Sequence, residues 1–312
     1  MATRREEWVR WLRDLPDVVA TLTEQWDLSL GELFPLSWNY VVAAEREHGG
    51  ACVLKVGPPV AEGGESTVRE AAALRRAGPA GVRMLEEDPD AGALLLERAI
   101  PGTPVADMCA EDDDGATEIL ASAMLEFWKP AEPAPGLPPL SSLEDTFEEF
   151  DRGPHGSSAR KDLVQTLAEI DSGLRDLRAA SLTARRVFRE LVADHAPAMV
   201  LHGDLHHDNV LMDEERGWVV IDPKGFVGGA GYDTAAMLYN PLDFVDGISD
   251  PEPLLRRRLA ITSGIVGIDR DVLAAWGFTK VVLSLLWDLE DGGELQRGSG
   301  QMRTLAVLRK MI

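Results

Sequence analysis

The chain changes character at Pro101-Gly102, and this change constrains its fold more than any other feature. Before the pair, short apolar segments alternate with turn signals. WNYVVAAE (38–45) and ACVLKV (51–56) flank the turn EHGG, and a Pro-Asp-Ala-Gly turn precedes the apolar segment ALLLE (93–97). Segments this short, joined by tight turns, predict antiparallel strands. The stretch STVREAAALRRAG (66–78) predicts a helix ending at Gly78, and residues 4–28 predict an amphipathic helix interrupted near Pro16. After Pro101-Gly102, helices are expected near 115–128, 143–151, 159–194, 232–239, 251–263, 270–290 and 300–311. Among them lie a Pro-rich connector, KPAEPAPGLPPL (129–140), and two short apolar segments, AMVLHG (198–203) and WVVIDP (218–223). The expected class is α+β, with a small antiparallel-sheet lobe over residues 1–98 and a larger, mainly helical lobe over 99–312.

Charge narrows the function classes. The 312 residues carry 31 Lys and Arg against 53 Asp and Glu, a formal net charge of −22. Nucleic acids and anionic membrane surfaces are bound by basic stripes, so neither is an expected partner. A negative cleft concentrates cations, so a small cationic substrate is expected. The two cysteines, Cys52 and Cys109, lie far apart without metal-ligand spacing, which argues against a disulfide framework and fits a reducing cytoplasm. MATRREEWVRWLRDLP places Trp8, Trp11 and Leu12 at helical spacing and lacks the apolar core of a signal peptide. No run of about eighteen apolar residues is apparent, so no membrane span is expected. The expected state is a cytoplasmic monomer or weak homodimer.

The densest chemistry is in LHGDLHHDNVL (201–211). Its histidines admit a zinc reading and hence a metallohydrolase, but His48 and His155 are isolated elsewhere and supply no second cluster. Gly-x-Ser-x-Gly and the phosphate loop GxxxxGK[ST] are both absent. Asn209 follows Asp204 by five positions, and Asp222, at the end of WVVID, follows it by eighteen. A strand–turn–strand between them turns three oxygen-bearing side chains toward one cleft. Two such groups can hold Mg²⁺ while the third takes a proton from an attacking hydroxyl, the division that phosphoryl transfer needs.

LHGDLHHDNVL, WVVIDPKGFVGGAGYDTAAMLYNP and LLWDLEDG together resemble the catalytic and metal motifs of the aminoglycoside phosphotransferase family, in its streptomycin 6-kinase and hydroxyurea-kinase branch. The resemblance implies a bilobal protein-kinase-like fold whose first lobe binds the nucleotide, ATP with GTP as an alternative, together with Mg²⁺. It implies Asp204 as catalytic base and Asn209 and Asp222 as Mg²⁺ ligands. It implies that His202 stiffens the loop and that Asp233 steadies it, although N-capping of a helix would also explain Asp233. His206 is a candidate substrate contact, while solvation is the expected state of both His206 and His207.

On the nucleotide side, the resemblance implies Lys55, in CVLKV, as the phosphate-binding lysine and Glu70 as its partner. Glu62 and Glu65 are the spare candidates, and Thr67-x-x-Glu70 is also a local capping box. PLSWNYVVAAE lacks a GxGxxG loop, so Ser37 and Asn39 are expected to meet the phosphates, and Glu97, Arg98 and Ala99 to meet the base. In LLWDLEDGGE, Asp288 and Asp291 crowd a helix C-terminus that favours cations, which makes them candidates to hold a cationic acceptor. The implied reaction moves the γ-phosphate to a hydroxyl of an aminoglycoside, foremost the 6-hydroxyl of streptomycin, giving resistance. Its alternatives are a kinase for hydroxyurea or another small metabolite, and a non-catalytic nucleotide-binding scaffold of the same fold.

Overall fold

Five strands between Leu28 and Glu97 form one antiparallel sheet: β1 (Leu28–Leu33), β2 (Tyr40–Arg46), β3 (Ala51–Val56), β4 (Met84–Asp88) and β5 (Ala93–Glu97), in the order β1-β2-β3-β5-β4. The computed structural model that shows this describes every residue except Met1, 36–38, 48, 59–66, 132–135, 153–171, 195–196, 291–292 and 297.

The alternation of side chains along β3 gives the sheet two different faces. Cys52, Leu54 and Val56 are fully buried on one face, where they pack with Val19 and Leu22 of helix α1 (Ala2–Gln25). Val53 lies on the other face with Leu94, Leu96 and, from helix α2 (Thr67–Ala77), Ala71 and Leu74. Lys55 shares the period of Val53, and in register it stands opposite Val41 and Leu94. An ammonium is thereby directed onto an apolar face against α2. Helix α1 runs unbroken through Pro16, contrary to the interruption expected there. Its apolar stripe on the sheet (Leu15, Val18, Val19 and Leu22) offsets the helix bond that proline removes. Strand β1 was not apparent in the sequence.

Downstream, six short strands make two small sheets. β6 (Pro101–Pro104), β9 (Val210–Asp213) and β10 (Gly217–Val220) form one, in the order β10-β9-β6. β7 (Lys129–Pro130), β8 (Ala198–Leu201) and β11 (Phe226–Gly229) form the other, in the order β11-β8-β7. Val210 pairs with Val220, and Leu201 with Phe226. Two loops, 202–209 and 221–225, therefore connect the same two sheets side by side, and Ile221 N–H donates to the Asn209 carbonyl at 3.0 Å between them. The five-stranded sheet meets this region where Val82 N–H donates to the Val220 carbonyl at 3.0 Å.

Helices α3 (Cys109–Phe127), α4 (Glu144–Arg152), α5 (Ser172–Val192), α6 (Glu252–Val266), α7 (Arg270–Glu290) and α8 (Gly300–Leu308) pack around one large core. Phe188, Trp276 and Tyr232 run through it edge to face, with ring centroids 6.0 and 5.7 Å apart. Helix α7 carries an apolar stretch with mean hydropathy 1.5, long enough by itself to cross a bilayer, which amends the expectation that none exists. Two-thirds of that stretch is buried inside the fold, as in the central helix of a large core. Two further expectations are corrected. The helix expected at 232–239 is instead two 3₁₀ turns, 230–232 and 236–238, because Gly231 packs against Trp276 too closely for a side chain and Pro241 closes the segment. Helix α3 starts at Cys109, before the expected 115, with a kink at Asp112.

Candidate active site

Lys55 and Glu70 meet between β3 and α2, with Nζ 2.6 Å from Oε2. Both are buried, at 6% and 4% exposure, so each charge requires the other. Glu70 is turned onto the sheet and does not close a capping box, and its Oε1 has no protein partner among the described residues. Lys55 Nζ also reaches Asp222 Oδ1 at 2.5 Å, across 167 positions of chain. Burial would lower the Lys55 pKa, but Glu70 and Asp222 together hold it above the ordinary lysine value. Asp222 has a left-handed backbone (φ 57), rare for a side-chain-bearing residue and a feature of functional turns. Its Oδ2 takes Lys224 Nζ at 3.0 Å. Burial opposes ionisation of Asp222, yet the two ammoniums hold it well below the usual carboxylate range.

The 202–209 loop is fixed at several points. Asp233 accepts three hydrogen bonds: from Trp128 Nε1 at 2.9 Å, His202 N–H at 2.8 Å and Gly203 N–H at 2.7 Å. Its work is to hold this loop, not to cap a helix. His202 is fully buried, with Nε2 2.8 Å from the Ile221 carbonyl, while Nδ1 accepts Asp204 N–H at 3.2 Å. This assigns its tautomer and ties the two loops together. Burial lowers its pKa to about 4. Asn209 donates Nδ2–H to the Asp204 carbonyl at 3.0 Å, leaving its Oδ1 for a cation. The oxygen donor set of Asn209 Oδ1 and Asp222 suits a hard divalent ion such as Mg²⁺.

Asp204 is met from a direction that the sequence motifs did not indicate. Lys280, in the middle of α7, places Nζ 3.2 Å from Asp204 Oδ1. Burial would raise the Asp204 pKa, but Lys280 first, and then His206, Lys224 and His202, hold it down at about 2. The available signal was a polar stripe in an otherwise apolar helix: Lys280, Ser284, Trp287 and Asp288 recur at helical spacing, and all four line one cavity. That cavity is about 900 Å³ and also bears Asp204, His206, Asp208, Asp145, Glu149, Asp243, Lys224 and Arg69. Asp145, Glu149 and Asp243 carried no motif in the sequence.

The remaining expected site residues divide. Asp288 lines the cavity as an exposed carboxylate. His206 lines it too, pairing with Asp208 at 3.1 Å and lying 3.9 Å from Asp204 Oδ2. His207 is not solvated: it is fully buried, with both ring nitrogens unpartnered in the described structure. Its ligand atom lies within 4.8 Å of those of Cys109 and Asp113, although the Asp113 carboxylate is already engaged by buried Arg258 at 2.5 Å. Asn39 lies against Gly57 at the end of β3, with Oδ1 2.9 Å from where a Cβ on that glycine would stand. The N–H groups of Glu97 and Arg98 are engaged by the carbonyls of Arg83 (2.9 Å) and Ala51 (3.3 Å), and the Glu97 carboxylate ion-pairs with Arg216. Half-buried Arg98 lies over the Phe34 ring, with Ala99 buried beside it. Ser37, Asp291, Glu62, Glu65, His48 and His155 lie outside the described residues.

A lysine–glutamate pair under a five-stranded sheet, facing a loop aspartate from a helical region, defines a kinase-like fold. Solved structures agree. Choline kinase LicA from Streptococcus pneumoniae matches with a TM-score of 0.63 at 14% identity, covering 93% of this chain and 98% of that one. An amicoumacin kinase, hAmiN, matches with a TM-score of 0.62 at 14% identity over 96% and 94%. The fold is that of the small-molecule kinases. Among curated relatives, the streptomycin 6-kinase of Streptomyces griseus is 31% identical over 92% of this chain and 87% of its own length. A hydroxyurea phosphotransferase of Kitasatospora aureofaciens is 29% identical over 90% and 75%. The chain belongs to the aminoglycoside/hydroxyurea antibiotic resistance kinase family, whose model matches residues 32–292.

Proposed function

We propose that this kinase moves the γ-phosphate of ATP to a hydroxyl of a cationic aminoglycoside, foremost the 6-hydroxyl of streptomycin, and so confers resistance. The observation that carries the reading is the cavity beside Asp204. Asp145, Glu149, Asp208, Asp243 and Asp288 give it an anionic wall suited to guanidinium and ammonium groups. Its volume of about 900 Å³ suits a multi-ring acceptor. Hydroxyurea, the acceptor that one relative's name suggests, is neutral and far smaller, and uses neither property. A cytoplasmic setting belongs to the same reading, since ATP and reduced thiols are both found there.

Lys55, aimed by Glu70, holds the nucleotide phosphates on the sheet side. Asn209 Oδ1 and Asp222 would hold Mg²⁺, which supplies charge neutralisation at the phosphates when bound. GTP in place of ATP uses the same residues. Asp204 orients the acceptor hydroxyl and takes its proton. A carboxylate with a pKa of about 2 is a weak base, but a loose transition state removes that proton late and demands aim more than basicity. The test is a nucleotide-consumption screen over aminoglycosides with hydroxyurea included, the product located by mass spectrometry. Turnover with streptomycin and none with hydroxyurea is expected. Turnover confined to neutral acceptors would overturn the reading.

A further inference from the structure

We infer that Lys280 is a positioning residue for phosphoryl transfer: it engages one oxygen of Asp204 and thereby assigns the other to the acceptor hydroxyl. The inference rests on the kinase reading above and adds a residue to it. Lys280 lies in the most apolar of the described helices at 2% exposure, where an ammonium is costly unless it is matched. An ammonium has three N–H groups. Here the ammonium donates to the Gly203 carbonyl at 2.8 Å and the Tyr232 hydroxyl at 3.2 Å, and Asp204 Oδ1 lies in ion-pair contact at 3.2 Å. The rings of Tyr232 and Trp287 each lie 4.9 Å from the same nitrogen.

Two of these three partners belong to the catalytic loop. Gly203 is gripped at both of its polar groups, with its N–H on Asp233 and its carbonyl on Lys280, and its φ of +89 leaves no room for a side chain beside Phe226. The loop is therefore clamped immediately before Asp204, and Oδ1 of that carboxylate is tied to the same nitrogen as the clamp. Oδ2 remains, 3.9 Å from His206 Nε2, on a residue that lines the cavity. With two hydrogen bonds and an ion pair to protein groups, Lys280 acts through Asp204 and not on the transferred group itself.

The test compares the intact wild-type chain with Lys280→Met, which keeps the apolar stem, and with Tyr232→Phe, which removes one acceptor and keeps the ring. Three quantities are read: kcat for transfer to the acceptor found in the screen, KM for nucleotide, and ADP formed per acceptor phosphorylated. For Lys280→Met, kcat should fall about 10²-fold, as expected for a misplaced catalytic group, with nucleotide KM changed by no more than about twofold. The ADP-to-product ratio should rise above that of the wild type, because water competes for a poorly aimed site. Tyr232→Phe should shift the ratio the same way with a loss of about 3- to 10-fold, and it decides the matter if Lys280→Met does not fold. In Lys280→Ala, added methylammonium should restore transfer where equal sodium chloride does not. Unchanged kcat and coupling in both variants would overturn the inference and leave the kinase reading standing. So would a loss of transfer with no change in the ratio and no amine rescue. A wild-type chain that phosphorylates no acceptor would overturn both.

Discussion

Lys55 and Asp222 are 167 positions apart in the chain and 2.5 Å apart in space, and this ion pair joins the five-stranded sheet to the loop between β10 and β11. Glu70 completes the group from α2 at 2.6 Å. Each element of the nucleotide side thus has its charge neutralised by another element, so the geometry of the site and the docking of the sheet are one structural problem.

Lys55→Met is therefore expected to cost stability as well as activity. It strands buried Glu70, and breaking such a pair costs about 3–5 kcal/mol. The double variant Lys55→Met/Glu70→Leu removes both charges and should recover most of that loss while remaining inactive. Urea denaturation of the two variants and the wild type measures this. Additive losses in the double variant would show that the pair is not the source of the cost.

Asp204 and Asp222 should separate in binding experiments. Asp204→Asn retains the hydrogen bond that Asn209 Nδ2–H donates to the backbone carbonyl of residue 204 and leaves Asp222 untouched. It should lower transfer by about 10²–10⁴-fold while keeping nucleotide affinity. Asp222→Asn should lose transfer together with the Mg²⁺ dependence of nucleotide binding, because half of the proposed oxygen donor set loses its charge. Calorimetry with a non-hydrolysable nucleotide, with and without Mg²⁺, distinguishes the two. Equal nucleotide affinities with unchanged Mg²⁺ dependence in both variants would remove Asp222 from the metal assignment.

His202 sets a pH limit. Buried and neutral, it has a pKa of about 4 in the fold, against an ordinary histidine value of about 6.5 when unfolded. Between those values the unfolded chain binds the proton and the folded chain does not, so stability rises with pH. The contribution is fully present above about 6.5 and is lost as pH falls through about 4, up to about 3 kcal/mol in all. Buried His207, whose pKa is also lowered, chiefly by burial, adds in the same direction. Thermal melts from pH 7 to 4 should fall steeply for the wild type and more gently for His202→Gln. Parallel curves would mean that His202 is not what titrates.

The loops that carry Asp204, Asn209 and Asp222 were legible because each follows a short apolar strand, AMVL or WVV, that turns abruptly polar. Lys55 was legible because a lysine interrupts an apolar strand. Glu70 was ambiguous, since a capping box and a salt bridge ask for the same residue, and only the turn of α2 onto the sheet decides between them. Strands β6, β7, β9 and β11, of two to four residues each, are too short for a period-two pattern to rise above its surroundings. His207 was misread because a polar motif suggests water, whereas the loop folds its ring inward. Lys280 was missed because an apolar helix suggests core, and the four-residue stripe that betrays its cavity face is sparse.

The acidic wall should govern acceptor affinity and not the chemical step. Asp288 and Glu149 line the cavity but belong to α7 and α4, away from the loop that carries Asp204. Asp288→Asn and Glu149→Gln should each raise KM for a cationic aminoglycoside by about 3- to 10-fold with kcat nearly unchanged, the pattern of lost uniform binding. Added salt should raise the wild-type KM as well, since exposed charges are screened within about 10 Å at 0.1 M. The salt dependence should be shallower in a variant lacking both carboxylates. Initial rates over a salt series supply the measurement. A KM indifferent to both substitutions and to salt would mean that the acceptor is not held by charge, and the net charge of −22 would then bear only on solubility.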